Sequence, residues 1–196
     1  MARTPSKQAH NKVLEASLEL FAEQGIDATS MDAISEASGV SKATIYKHWK
    51  DKGDLALEAL FLMFELDVEP PEFNSGDLRK DFVDVLTYQP SPERQAMKQR
   101  IMPHVMAYAA RNEAFGETWR SRILERPKML LKMLLKRGIN RGLIIKNIDV
   151  ETSLAQLLGP SMYWYIFVGR KSGKTMPVEM ATEVVNAFLK AYSRGK

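Results

Sequence analysis

Between Ser30 and Lys52 two short helical patterns are separated by nothing more than the turn Gly39-Val40. Neither pattern is long enough to hold together in water on its own. Each must therefore pack on a neighbour. Ser30 is a good N-cap for the first, with Asp32 favourably placed in its first turn and Gly39 at its end. Ser41 caps the second, which runs to about Trp49. A short helix, a tight glycine turn and another short helix form the helix-turn-helix unit, whose second helix enters the major groove.

The chemistry of that second helix sharpens the reading. Lys42, Thr44, Tyr46, Lys47 and His48 can all donate to phosphates or base edges, while Val40, Ile45 and Trp49 form the inward stripe that anchors them. Upstream, Val13, Leu14, Leu18 and Phe21 fall on one face of a helix whose other face carries Glu15, Glu19 and Glu23, and Gly25 ends it. Arg3, Lys7 and His10 read as a loose basic arm at the terminus. A fourth helix begins near Lys52.

Residues 67–76, with paired prolines followed by Asn-Ser-Gly, form the plainest break. Helical patterns then recur at about 77–88, 93–111, 128–141, 150–168 and 177–193. No alternating strand pattern and no internal repeat is visible, so the expected fold class is all-α. The division expected is a DNA-binding domain over residues 1–52 and a ligand-binding and dimerisation domain over 53–196.

Charge alone would not have placed the DNA-binding face. The chain carries a net +4, but residues 1–52 hold seven cations and seven anions, whereas residues 120–146 hold nine cations and one anion. The i, i+4 spacing of that run, as in Lys128-Lys132-Lys136 and Arg137-Arg141, suits a solvated helix face. With no cysteine, three scattered histidines, no glycine-rich phosphate loop and no Glu-x-x-His pair, the chain lacks the parts of a catalytic or metal site. No enzyme, cofactor or metal is expected. The longest apolar run, Met162 to Val168, is too short to span a bilayer and no signal region opens the chain, so a cytoplasmic protein is expected.

The residues Phe21-Ala22-Glu23-Gln24-Gly25, Thr29-Ser30, Ile34, Ala37, Gly39-Val40-Ser41, Thr44-Ile45-Tyr46, His48 and Lys52 resemble the TetR family of bacterial repressors. The resemblance implies that Lys42, Ala43, Thr44 and Lys47 face bases or their rims. It implies too that Tyr46, His48 and Lys52 hold phosphates, with Ser30 and Ser41 capping close to the DNA. Three positions depart from the pattern: Asp32, Ser38 and Gly53. A carboxylate at Asp32 would repel a phosphate or accept from a cytosine amino group.

Farther along, Arg141-Gly142-Leu143, Asp149, Glu151 and Leu157-Leu158-Gly159-Pro160 resemble one branch of the same family, which implies a ligand-binding and dimerisation domain. Independently, Leu154, Leu158, Ser161 and Tyr165 make one apolar stripe, and Val178, Ala181, Val185, Phe188 and Tyr192 make another. Two such helices either meet those of a second copy or cover this chain's own core. Dense aromatics and methionines suit a pocket for a largely apolar effector. The candidates are Phe61, Phe64, His104, Tyr108 and Trp119, together with Met129, Met133 and Tyr163. The function expected is a homodimeric repressor that binds an inverted-repeat operator and is released by a small molecule. A chromosome-organising DNA-binding protein without a ligand, or an all-α enzyme, are the alternatives.

Overall fold

The structure, a computed structural model, describes residues 4–88, 91–169 and 176–193. Among them there are helices and no strands: α1 (Thr4–Gln24), α2 (Met31–Ser38), α3 (Lys42–His48), α4 (Lys52–Met63), α5 (Leu78–Thr87), α6 (Pro92–Arg111), α7 (Glu113–Thr118), α8 (Glu125–Asn140), α9 (Val150–Tyr163) and α10 (Val178–Tyr192). Wider π-helical turns extend α7 through Trp119–Ile123 and α9 through Trp164–Val168. No helix among the described residues is long and apolar enough to cross a membrane.

The helices gather into two compact units. One takes α1–α4, α6 and α7; the other takes α5 and α8–α10. In the first, the α1 stripe Val13, Leu14, Leu18 and Phe21 is buried together with Ile34, Ile45, Trp49, Leu55 and Leu60. Each of these large apolar side chains stabilises the fold by about 1.5–3 kcal/mol through burial. Because α1 packs against α2, α4 and α6, it is the spine on which α3 is hung.

Helix α1 starts at Thr4 rather than near Lys12, so Lys7 and His10 lie on a helix and not on a loose arm. Arg3 lies outside the described residues. The polar run before Val13 carries no apolar period to announce a helix. His10 nevertheless has a helical role, because its ring is tied to Glu58 of α4.

Helix α7 and its π-helical turn were not expected from the sequence. Phe115, Trp119 and Ile123 are all buried, and an added Cβ at Gly116 would sit 2.5 Å from the Ala109 carbonyl oxygen. The missing side chain lets α7 lie against α6. The wide turn keeps residues spaced by four on one side.

In the second unit α8 begins at Glu125, so Pro127 stands within its first turn, where its missing N–H leaves no helical hydrogen bond unmade. Leu131, Leu134 and Leu135 of α8 join Phe82, Leu154, Leu157, Val185 and Phe188 in one core. Gly138 permits a close approach, since a Cβ there would lie 2.6 Å from Ile144 Cδ1 and 2.8 Å from Leu78 Cδ2.

One buried charge crosses this unit. Asp81 of α5 is fully buried and meets Arg137 of α8 at 3.1 Å, while Arg137 also donates to the Phe73 carbonyl at 2.6 Å. Arg137 thus leaves the solvated face expected for the basic run. Lys136 stays exposed and Lys132 pairs with Glu151 at 3.6 Å.

Candidate nucleic-acid interface

The caps read from the sequence set the ends of α2 and α3. Ser30 Oγ accepts from the Ala33 N–H at 3.1 Å, and Ser41 Oγ accepts from the Thr44 N–H at 3.3 Å. Gly39 closes α2 at φ 68°, a left-handed conformation that costs a side-chain-bearing residue roughly 1–2 kcal/mol. Ser35 Oγ donates to the Val40 carbonyl at 2.7 Å, which pins the turn from inside. The chain is therefore steered into α3 by hydrogen bonds on both sides of one glycine.

Helix α3 divides cleanly by burial. Ile45 and Trp49 are buried, whereas Lys42, Ala43, Tyr46, Lys47 and His48 are exposed and Thr44 is half-buried. Tyr46 is 52% exposed, so its ring and hydroxyl stand on the open face of the helix. The Thr44 hydroxyl lies 2.9 Å from Ser41 Oγ, which holds both hydroxyls at the helix start.

Three contacts of this region were not foreseen. Lys42 forms an ion pair with Asp32 of α2, and the carboxylate's hydrogen bond and charge raise the Lys42 pKa above its ordinary value. Lys52 Nζ donates to the carbonyls of Asp27 and Thr29 at 2.7 and 2.8 Å, tying the α1–α2 loop to α4. Partial burial pushes the Lys52 ammonium down, opposed by the charge of Asp27.

The third contact is a cluster behind α3. Trp49 Nε1 donates to Glu58 Oε2 at 2.6 Å, and His10 Nε2 lies 2.7 Å from Glu58 Oε1. A carboxylate accepts, which assigns the hydrogen to His10 Nε2. The His10 ring stacks on Trp49 with centroids 4.6 Å apart and meets His48 edge-on at 5.4 Å. Glu58 thereby joins α1, the end of α3 and α4 through one side chain. No local spacing could have announced it, because His10 and Glu58 are 48 positions apart.

The residues read as effector contacts do not form one group. In the first unit, Phe64 and Trp119 rings lie 5.7 Å apart, Tyr108 meets Phe115 edge-on at 4.8 Å, and the Arg122 guanidinium sits 4.7 Å from the Phe61 ring centroid. Burial and the nearby Asp27 and Asp51 raise the Tyr108 phenol above its ordinary pKa. His104 packs against Gly25, where a Cβ would come within 2.9 Å of His104 Nδ1. In the second unit, Met129, Met133 and Tyr163 are all exposed.

The stripes read as dimer contacts are also redistributed. Leu154, Ser161, Tyr165, Ala181, Val185 and Phe188 are buried inside the single chain, and Leu158 and Tyr192 are half-buried. They cover this chain's own core, and of the group only Val178 stands exposed. The outward side of α9 carries Ala155, Gly159, Tyr163 and Phe167 instead, all exposed.

Two family models match the chain. Residues 13–59 match the model described as bacterial regulatory proteins of the tetR family, and residues 73–187 match the tetracyclin repressor-like C-terminal domain. The HTH-type transcriptional regulator YdeS of Bacillus subtilis (strain 168) is 28% identical over 188 residues, 95% of this chain and 91% of that protein. AcrR of Shigella flexneri, also an HTH-type transcriptional regulator, is 31% identical over 136 residues, 64% of this chain and 63% of that one. A TetR-family regulator from Rhodococcus sp. shares the fold, with TM-score 0.71 at 20% identity over 94% of this chain and 98% of that one. With the helix-turn-helix geometry and both family models in agreement, the chain belongs to the TetR family and is a DNA-binding transcriptional regulator.

Proposed function

We propose that this regulator is a cytoplasmic homodimeric repressor that holds an inverted-repeat operator through α3 and leaves it when a small effector binds. The observation that carries the reading is the division of α3, in which buried Ile45 and Trp49 anchor a face of exposed Lys42, Ala43, Tyr46 and Lys47. Lys42, Thr44 and Lys47 read base edges or their rims; Tyr46, His48 and Lys52 hold phosphates, helped by Ser30 and Ser41. Lys52 already donates to two carbonyls, so one ammonium hydrogen is left for a phosphate. By chemistry, residues 1–52 bind DNA and residues 53–196 take effector and partner.

The effector reading rests on Trp119, together with Phe61, Phe64, His104 and Tyr108. Trp119 is buried and, among the described residues, its indole Nε1 has no hydrogen-bond partner. A buried donor left unmatched costs about 1–3 kcal/mol, which a ligand carrying an acceptor would offset. Exposed Met129, Met133 and Tyr163 have no part in this version.

For the dimer, the outward sides of α9 and α10 suit a second copy. Ala155, Gly159, Tyr163 and Phe167 recur every four residues, and an added Cβ at Gly159 would meet no atom within 4 Å. Small residues beside exposed aromatics allow helices to meet closely.

Selection of bound fragments from random DNA, followed by footprinting, tests the whole proposal. The expected result is two protected half-sites related by a dyad and about one helical turn, or a multiple of it, apart. A single asymmetric site would overturn it.

A further inference from the structure

We propose that Asp32 and Lys42 act as a single composite reader, in which the carboxylate denies the lysine to phosphates and restricts it to a G·C pair. The inference rests on the DNA-binding reading of α3 and deepens it. Asp32 is the second residue of α2 and Lys42 the first of α3, so the ion pair bridges the two helices of the motif at their N-terminal ends. Both side chains are well exposed, at 72% and 50%, so the pair lies on open surface and not in the core.

Local electrostatics explain why the two belong together. A cation in the first turn of a helix opposes the backbone dipole, whereas an anion there is favoured. Lys42 is therefore badly placed with respect to α3 alone, and Asp32 is well placed with respect to α2. Pairing supplies Lys42 with the negative charge that its own helix end lacks.

Docking on DNA turns this into selectivity. A solitary lysine on this surface would bind the nearest phosphate on any sequence, releasing a counterion as it did so. With Asp32 beside it the pair is neutral, and the carboxylate repels phosphates. It needs an edge that offers the ammonium an acceptor and the carboxylate a donor. A G·C pair presents guanine O6 and N7 side by side for the ammonium, with the cytosine N4 amino group next to them for the carboxylate. An A·T pair splits its acceptors around one amino group and adds the thymine methyl. Specificity is gained here by penalising the wrong partners as much as by rewarding the right one.

The test uses the full chain in four forms: unaltered, Asp32→Asn, Lys42→Ala and the double variant. Each is titrated against selected operator and scrambled DNA at several salt concentrations, and each is put through site selection. The unaltered chain should select a G·C pair at one column of each half-site, and changing that pair to A·T should weaken it on the order of tenfold. Asp32→Asn should bind scrambled DNA more tightly, with its salt dependence steeper by about 0.9 per half-site, and its G·C column should flatten while the others persist. Lys42→Ala should lose about tenfold on the operator, and adding Asp32→Asn should cost little more. Asp32→Ser provides the same readouts if the asparagine variant folds poorly, which far-UV circular dichroism will reveal.

An unchanged G·C column and salt slope in Asp32→Asn would overturn the composite reader while leaving α3 as the DNA-binding helix. Failure of the unaltered chain to prefer any sequence would instead overturn both.

Discussion

Glu58 ties the end of the recognition helix to α1 and α4, and Glu58→Ala tests how far the placement of α3 depends on that tie. The substitution leaves the Trp49 indole N–H without its acceptor at 2.6 Å, on a residue only 2% exposed. Stranding such a donor costs about 1–3 kcal/mol. The His10 contact is also lost, but its partners are 25% and 45% exposed, so screening by water limits its share to less than about 1 kcal/mol. Together about 1–4 kcal/mol should disappear, which for a chain of this length lowers the melting temperature by roughly 2–4 °C for each kcal/mol. Trp49→Phe supplies the control, because it keeps a ring against His10 and removes the N–H. In that background Glu58→Ala should cost only the smaller His10 share. Thermal melts followed by circular dichroism measure the cycle, and fluorescence anisotropy on operator DNA shows whether α3 has loosened. Operator affinity should fall without any change in salt slope, since no cation is removed. Equal costs of Glu58→Ala in both backgrounds would refute the reasoning.

Gly39→Ala should destabilise the chain by about 1–2 kcal/mol in urea denaturation through backbone strain alone, because φ is 68° and no atom lies within 4 Å of an added Cβ. Asp81→Ala, which leaves Arg137 without its carboxylate, should cost about 3–5 kcal/mol by the same measurement. Burial would raise the Asp81 carboxyl, but hydrogen bonds from Ser75 and the Arg137 charge outweigh it and hold the pKa below the ordinary value. A carboxyl depressed on folding stabilises above its unfolded pKa, about 3.9, and loses that contribution as pH falls through the folded one. Acid titration of stability should therefore show a loss below that pH which Asp81→Ala lacks. Phe167→Glu, on the most exposed of the α9-side aromatics at 68%, should shift light scattering from dimer to monomer with the helical content unchanged.

The parts of the fold legible in the sequence are those governed by neighbours in the chain. Ser30, Gly39 and Ser41 set the ends of α2 and α3 through bonds to residues three positions away, and the α1 stripe needs only helical spacing. Where the apolar period is absent or interrupted, the boundaries shifted: α1 begins among polar residues, and α8 begins two residues before a proline. Helix α7 falls between the helical patterns at about 93–111 and 128–141, and what its Gly116 provides, a close approach to Ala109, is a contact between elements. Side-chain roles were less visible than helices. Lys42, Lys47 and Tyr46 stand on the exposed face that the pattern implied, yet the Asp32 pair and the carbonyls held by Lys52 arise from contacts between elements.

The last two helices show why an apolar stripe identifies a buried face without naming what buries it. Ala181, Val185 and Phe188 repeat with helical period, and the same period would serve a second chain or this one. The decision lies in how many other elements need covering: α5 and α8 each bring an apolar face of their own, with Phe82, Leu131 and Leu134 wholly buried. These faces leave water by packing on each other and on the α9 and α10 stripes, so the strongest stripes go to the interior. What stays exposed on α9 and the turn that extends it is the weaker pattern of Ala155, Gly159, Tyr163 and Phe167, in which small residues interrupt the hydrophobic signal. An interface between copies is thus read best from apolar residues left exposed after the core is complete.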